Sequence, residues 1–112
     1  MKVSSSKQDN VFVIALSGRI MGGEGTDDFY QVISIALEEG FRNFVLDLQD
    51  VEWMNSTGLG MVIAGSARVR DIDGIFKLAR PNDSVSQALA INRLNLVFEI
   101  HPTLEAAVAS FN

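Results

Sequence analysis

Residues 45–65, VLDLQDVEWMNSTGLGMVIAG, pass from a strand pattern to a helical pattern. Phe44–Leu48 is a short apolar run typical of a buried strand, and we predict that this strand ends near Leu48 in a polar turn. From Ser56 to Arg70 apolar residues recur at helical spacing, which predicts a helix. The residues predicted on its inward face are Leu59, Val62, Ile63 and Val69. A strand that leads directly into a helix is a building unit of layered α/β domains.

The start of this helix carries the most distinctive chemistry. Asn55 can accept a hydrogen bond from a free first-turn amide, which predicts that it is the N-cap. Ser56 then lies near the first helical position, where unpaired N–H groups and the helix dipole favour an anion. Gly58 and Gly60 keep bulky side chains out of the first turn, so another protein's active site could approach the hydroxyl. We predict that Ser56 accepts a phosphate; the alternative is a serine that only helps to start the helix.

Two strands, a loop and a helix are predicted before this stretch. Lys2–Lys7 pairs as a hairpin with the apolar run Val11–Leu16. Glycines predict a loop over Met21–Gly25, and Thr26–Asp28 supplies an N-cap and the early acids of a helix. Gly40 ends that helix as the residue after its C-cap.

Strands and helices continue to alternate after Arg70. Ile75–Leu78 is predicted as a strand, Asn82–Ile91 as a helix and Val97–Ile100 as a last short strand, and Thr103 caps a final helix. The fold class predicted from this order is α/β. We expect a single domain over residues 1–112, with a mixed sheet of four to five strands and about four packed helices.

Composition and charge exclude several classes of function. The chain has 112 residues, of which 47% are hydrophobic and 21% charged, so we expect a folded core. A net charge of -5 repels phosphate backbones and anionic lipid, which argues against nucleic-acid and membrane partners. No apolar run is long enough for a bilayer span, and Met1–Ser6 has no apolar signal segment. With no cysteine present, we expect a cytoplasmic protein.

The sequence contains no recognisable catalytic constellation. His101 is the single histidine, and we expect it at the surface rather than in a metal site. Ser56 lacks the flanking glycines of a nucleophile elbow, because Met54 precedes it by two residues. Asp47 and Asp50 could form a carboxylate pair, but no other ligand type converges on them. We therefore predict a protein that is not an enzyme and that needs no metal or cofactor.

The segment Met54–Gly60, Met-Asn-Ser-Thr-Gly-Leu-Gly, resembles a family signature. It is similar to the Asp-Ser-Ser/Thr-Gly-Leu-Gly motif of STAS-domain anti-sigma factor antagonists, bacterial regulators of transcription. Asp47–Val51 before it and Leu16–Gly18 at the end of the early strand also fit this family. The order of strands and helices matches over essentially the whole chain. The resemblance implies a STAS-like fold and a function in protein–protein interaction.

In that family, partner switching depends on phosphorylation. The resemblance implies that the unphosphorylated chain binds an anti-sigma factor serine kinase and releases the sigma factor. Phosphorylation of Ser56, with Thr57 as the second choice, would end binding, and a serine phosphatase would reverse it. The ATP and metal would belong to those partners, and a weak homodimer is left open. The predicted partner-binding residues are Met21, Gly22, Gly23, Met54, Asn55, Ser56, Thr57, Gly58 and Leu59.

Two departures from the family pattern leave alternatives open. Asn55 replaces the commonest Asp, which keeps the cap but removes its charge. Arg19–Met21 stands where many members have Glu-Leu-Asp, so the partner could differ. One rival function is a STAS scaffold or transporter-associated module without sigma-factor control. The other is a small hydrolase that uses Ser56. Trp53 and Met54 should face opposite ways, one into the core and one towards a partner.

Overall fold

Five strands form one mixed sheet, in the order in which they occur along the chain. The computed structural model describes residues 1–112. The strands are β1 (Lys2–Gln8), β2 (Val11–Ile20), β3 (Asn43–Met54), β4 (Ile75–Ala79) and β5 (Ile100–His101). β1 pairs antiparallel with β2, whereas the β2–β3, β3–β4 and β4–β5 pairs are parallel. The predicted mixed sheet is therefore confirmed, as is the hairpin between the first two strands.

Four α-helices cover the two faces of the sheet. They are α1 (Thr26–Glu38), α2 (Ser56–Arg70), α3 (Asp83–Ile91) and α4 (Leu104–Ala109), with a 3₁₀ turn at Leu94–Leu96. No helix combines the length and the apolar character that crossing a bilayer requires.

Both faces of the central strand β3 are buried. Phe44 and Leu46 point into the larger core, which also contains side chains of α1, α2 and α3. Val45 faces the other way and packs in a smaller core beneath α4. This double burial explains why the strand is a continuous apolar run rather than an alternating one. Fully burying one such side chain contributes roughly 1.5–3 kcal/mol, so the two cores hold the sheet and the helices together.

The two ends of α1 differ in how well the sequence indicates them. Gly40 follows the C-cap with φ +100°, and the amide of Phe41 donates to the oxygen of Ala36 at 3.0 Å. This Schellman arrangement confirms the predicted helix end. The predicted N-cap within Thr26–Asp28 is wrong, because the N-cap is Gly25 in a left-handed conformation. Thr26 is the first helical residue, and its hydroxyl is buried without a hydrogen-bond partner.

β3 does not end near Leu48 as predicted, but continues to Met54. The polar residues that suggested a turn lie within the strand, and Asp50 lies opposite Ser17 of β2. β2 is longer as well and ends at Ile20, opposite Met54. Two register shifts between these strands accommodate the extra residues of β3 as bulges. The chain therefore enters α2 directly from the end of a strand.

The predicted last strand is present as β5, but its predicted bounds, Val97–Ile100, are wrong. The amides of Val97 and Phe98 both donate to the oxygen of Leu94, at 3.0 and 2.8 Å, so these residues continue a tight turn. Only Ile100–His101 pairs with β4. The side-chain pattern was misleading because Phe98 is buried from a loop, where it packs beside Phe76 of β4.

α2 has the predicted bounds, but one of its four predicted inward residues is exposed. Leu59, Val62 and Val69 are buried, as predicted. Ile63 has an exposed fraction of 43%. The helix rests on the small residues Gly58 and Gly65 instead, and a side chain at either position would collide with β2 or with α1. An apolar side chain at helical spacing is thus left on the outer surface.

Candidate functional site

The candidate site lies at the turn from β3 to α2. Asn55 has an extended backbone, and its side-chain oxygen accepts a hydrogen bond from the amide of Gly58 at 2.8 Å. Its backbone oxygen accepts the first helical bond, from the amide of Leu59 at 2.9 Å. The predicted N-cap is therefore confirmed. The amides of Ser56 and Thr57 precede this first bond, so helix geometry leaves them without intrahelical acceptors.

The side chain of Ser56 lies outside the core. Ser56 is exposed at the first position of α2, and its hydroxyl forms no hydrogen bond within the chain. Ser66 in the same helix differs, since its hydroxyl donates to the backbone oxygen of Ile63 at 2.8 Å. The Ser56 oxygen is thus free to meet a reagent or another protein. Thr57 is exposed beside it.

The predicted contact residues divide into exposed and buried groups. Met21 has an exposed fraction of 50%, and Gly23 is also exposed. The side chains of Met54 and Leu59 are only 7% and 5% exposed and belong to the larger core. Both side chains anchor the turn from inside, so they are not part of the exposed surface around Ser56. Trp53 is half-buried.

The loop after β2 packs directly against the first turn of α2. The amide of Asn55 donates to the oxygen of Ile20 at 3.2 Å. A Cβ atom added at Gly58 would lie 2.1 Å from that same oxygen, so only glycine allows so close an approach. A Cβ atom added at Gly22 would lie 2.5 Å from the methyl carbon of Thr57. The Met21–Gly25 loop and the start of α2 therefore form one continuous surface.

The charged residues near this turn are the pair Arg19 and Glu52 and, in the adjoining loop, the exposed Glu24. The first turn of α2 contains no acidic residue. Arg19, opposite Trp53 in the sheet, forms an exposed ion pair with Glu52, with 3.3 Å between nitrogen and oxygen. An exposed pair of this kind contributes little stability, but it leaves no net charge there. The helix dipole is thus a local field that favours an anion at Ser56.

The other titratable groups named from the sequence are engaged elsewhere. Asp47 is buried and accepts from Nε of Arg80 at 3.0 Å, and this hydrogen bond raises the pKa of the arginine. Asp50 is exposed, and the two aspartates form no carboxylate pair. His101 contacts the carboxylate of Glu99 at 2.6 Å. Among residues 1–112, no three side chains of the metal-binding types cluster together.

No concave pocket contains Ser56. The structure has two surface cavities, of about 300 and 270 Å³. One lies between the β1–β2 turn and the end of α1, and the other lies beside β1 near Asp50. A convex, exposed hydroxyl suits contact with another protein better than it suits enclosure of a small substrate.

Residues 2–107 match the sequence pattern described as the STAS domain. The chain belongs to the STAS domain family. This STAS domain is 24% identical over 111 residues to a Bordetella bronchiseptica protein named "Putative anti-sigma factor antagonist BtrV", covering 99% of this chain and 95% of that protein. A Thermotoga neapolitana relative, "Putative anti-sigma factor antagonist TM1081 homolog", is 32% identical over 72 residues. That match spans 64% of each chain, less than two thirds of the relative's length.

The architecture of this STAS domain is also found in solved structures. The anti-sigma factor antagonist SpoIIAA in its unphosphorylated form superposes with a TM-score of 0.82. The superposition covers 98% of this chain and 96% of SpoIIAA, at 19% sequence identity. A likeness at such low identity establishes the common fold.

Proposed function

We propose that this STAS domain is an anti-sigma factor antagonist whose partner binding is switched off by phosphorylation of Ser56. The observation that carries the proposal is the exposed, unbonded Ser56 hydroxyl on a rigid strand-to-helix turn. Family membership and the names of the sequence relatives support the same function. The partner is an anti-sigma factor with serine kinase activity, and a serine phosphatase restores the active form.

The unphosphorylated surface around Ser56 docks onto the kinase. This docking surface comprises Met21, Gly23, Asn55, Ser56 and Thr57, which are exposed or half-exposed. It combines one large apolar side chain with small polar ones and carries no formal charge. A partner can cover such a surface without removing water from an ion, which would be costly.

Phosphate on Ser56 weakens docking through charge. It adds about -1.5 to -2 charges to a surface that has none, on a chain whose net charge is -5. Desolvating or opposing a charge in an interface costs about 2–5 kcal/mol, which corresponds to roughly a 30-fold or greater loss of affinity. The fold itself need not change, because the phosphate lies at the positive end of the α2 dipole.

The reacting groups for phosphoryl transfer come from the kinase, and this chain supplies only the acceptor. No carboxylate or imidazole of this chain bonds to the Ser56 hydroxyl, and the single histidine is held by Glu99 at 2.6 Å. The kinase therefore supplies the ATP, the metal and the base. Since ATP is required, the switch acts in the bacterial cytoplasm.

A phosphorylation assay tests the proposal. The protein is incubated with ATP and the serine kinase encoded beside it, and intact-mass spectrometry counts the phosphates. We expect one phosphate per chain, none on S56A and one on T57V, which retains Ser56. Stoichiometric labelling of S56A would overturn the assignment. The alternative, a transporter-associated STAS module, predicts no labelling and neighbouring genes for transporter subunits.

A binding measurement tests the switch itself. Calorimetry with the anti-sigma factor should give tight binding for the unphosphorylated chain and at least a 30-fold weaker affinity for the phosphorylated chain. S56A should bind like the unphosphorylated protein, even after exposure to kinase and ATP. Equal affinities for the two forms would refute phosphorylation as the switch.

A further inference from the structure

We propose that Thr57 is a positioning residue whose methyl group holds Met21 beside Ser56, so that the partner contacts both side chains together. This inference deepens the proposed function, because it assigns Thr57 a role in partner recognition through its methyl group. The hydroxyl of Thr57 is not needed for that role. A second phosphorylation site would instead require the hydroxyl and not the methyl.

Thr57 packs against the loop at Gly22 and leaves no room there for a side chain. Gly22 has φ +78°, a conformation that side chains other than glycine rarely adopt. A Cβ atom at Gly22 would lie 2.5 Å from the methyl carbon of Thr57, so this methyl occupies the volume that a side chain would fill. Threonine is branched at Cβ and has restricted side-chain rotation, which makes its methyl a rigid support.

Met21 lies between Ile20 and Gly22, and both of these residues contact the start of α2. On one side, the oxygen of Ile20 accepts a hydrogen bond from the amide of Asn55 at 3.2 Å. On the other side, Gly22 packs against the methyl of Thr57. Asn55 and Thr57 are themselves the two neighbours of Ser56. The backbone of Met21 is therefore attached on both sides to the two neighbours of Ser56, and its side chain is half exposed.

This arrangement makes Met21 an apolar anchor at a defined position. Gly23 has no side-chain support of this kind, since an added Cβ there would meet nothing within 4 Å, and its oxygen accepts a hydrogen bond from the amide of Thr26 at 3.0 Å. Loss of the Thr57 methyl would leave the loop attached through the backbone oxygens of Ile20 and Gly23. The loop would then sample more conformations, and binding would require that these be ordered again.

Two substitutions separate the methyl of Thr57 from its hydroxyl. T57S removes the methyl and keeps the hydroxyl, whereas T57V keeps a methyl in the same place and removes the hydroxyl. Because Thr57 is exposed, neither change opens a cavity in the core. M21A removes the anchor itself.

Backbone relaxation by NMR tests the contact without any partner. In the wild type and T57V, we expect order parameters near 0.85 for the Gly22 amide. In T57S they should fall towards about 0.6, with the thermal midpoint unchanged. Unchanged order in T57S, or a loosened loop in T57V, would overturn the role of the methyl. This result does not depend on the proposed function.

Affinity for the anti-sigma factor tests the consequence. T57S and M21A should each bind about tenfold more weakly than the wild type, and T57V, which keeps the methyl, should bind more tightly than T57S. In the double variant T57S/M21A, the loss should be no larger than in M21A alone, because Thr57 acts through Met21. The inference would be contradicted if the losses of affinity from T57S and M21A multiplied in the double variant. It would also be contradicted if T57V bound weakly while T57S bound normally. If the anti-sigma factor binds no form of the chain, the proposed function fails while the NMR result stands.

Discussion

Replacing Gly58 by alanine tests how tightly the end of β2 is pressed against α2. Alanine is normally the better helix former by about 1 kcal/mol, so propensity alone predicts stabilisation. In this structure the new Cβ atom would lie 2.1 Å from the oxygen and 2.7 Å from the carbonyl carbon of Ile20. Both are backbone atoms, so no side-chain rotation can relieve the collision.

The expected loss of stability in G58A follows from the movement that is needed to relieve this collision. Ile20 and α2 must separate by about 1 Å, which strains the packing by about 1–3 kcal/mol. The same movement stretches the 3.2 Å hydrogen bond from the amide of Asn55 to the Ile20 oxygen, a loss of about 1 kcal/mol. After subtracting the gain in helix propensity, we expect G58A to lower the free energy of unfolding by roughly 1–3 kcal/mol.

Gly60 provides a matched control on the same helix. It is exposed, and a Cβ atom added there meets nothing within 4 Å. G60A should therefore raise the free energy of unfolding by about 0.5–1 kcal/mol. Urea titration followed by far-ultraviolet circular dichroism measures both values. If G58A were as stable as the wild type while G60A was stabilised, the close approach of Ile20 to α2 would be refuted.

Three further perturbations probe the site and its support by urea titration. N55A should lose about 1 kcal/mol because an α2 backbone N–H group loses its cap, whereas N55D should lose none; equal losses would contradict the capping role. D47N should lower the free energy of unfolding by about 2 kcal/mol, because it leaves the partly buried Arg80 without its counter-ion. The same substitution at an exposed aspartate is the control. Hydrogen bonds from Lys77 and then from His101 lower the pKa of Glu99 from 4.5 to about 2. The carboxylate's stabilising contribution is therefore complete above pH 4.5 and declines as the pH falls towards 2, so the stability difference between wild type and E99Q should close over that interval. A difference that is constant with pH would refute this assignment.

Features with a local cause could be predicted from the sequence. α2 has the expected bounds because an N-cap residue precedes it and its apolar residues recur at helical spacing. Gly40 ends α1 for an equally local reason, since its positive φ suits glycine. These signals act within a few residues and need no knowledge of the remaining chain.

Features that depend on distant partners could not be predicted in the same way. The polar residues after Leu48 suggest a turn, but Ser17 of β2 pairs with Asp50 and extends the strand. Thr26 has a side chain suited to capping, yet the left-handed Gly25 takes that position. In both cases, the conformation of a remote or adjacent segment overrides the local preference.

The candidate site shows the same division. The sequence indicates Ser56 and its cap, because both belong to one local motif. It does not reveal that the Thr57 methyl supports Gly22, since these residues belong to different elements. The motif alone does not separate contact residues from supporting ones, since it includes Met54 and Leu59, whose side chains lie in the core.

The asparagine at position 55 suits the phosphorylation of Ser56 that we propose. Its side-chain oxygen caps α2 at 2.8 Å, as an aspartate would, but it places no negative charge beside Ser56. A phosphate there meets the positive end of the helix dipole and an uncharged neighbour, so the domain has no electrostatic reason to unfold when modified. An aspartate would oppose the same phosphate with a like charge. Under the proposed function, the free-energy change of phosphorylating Ser56 would then affect mainly the docking of the partner rather than the stability of the fold.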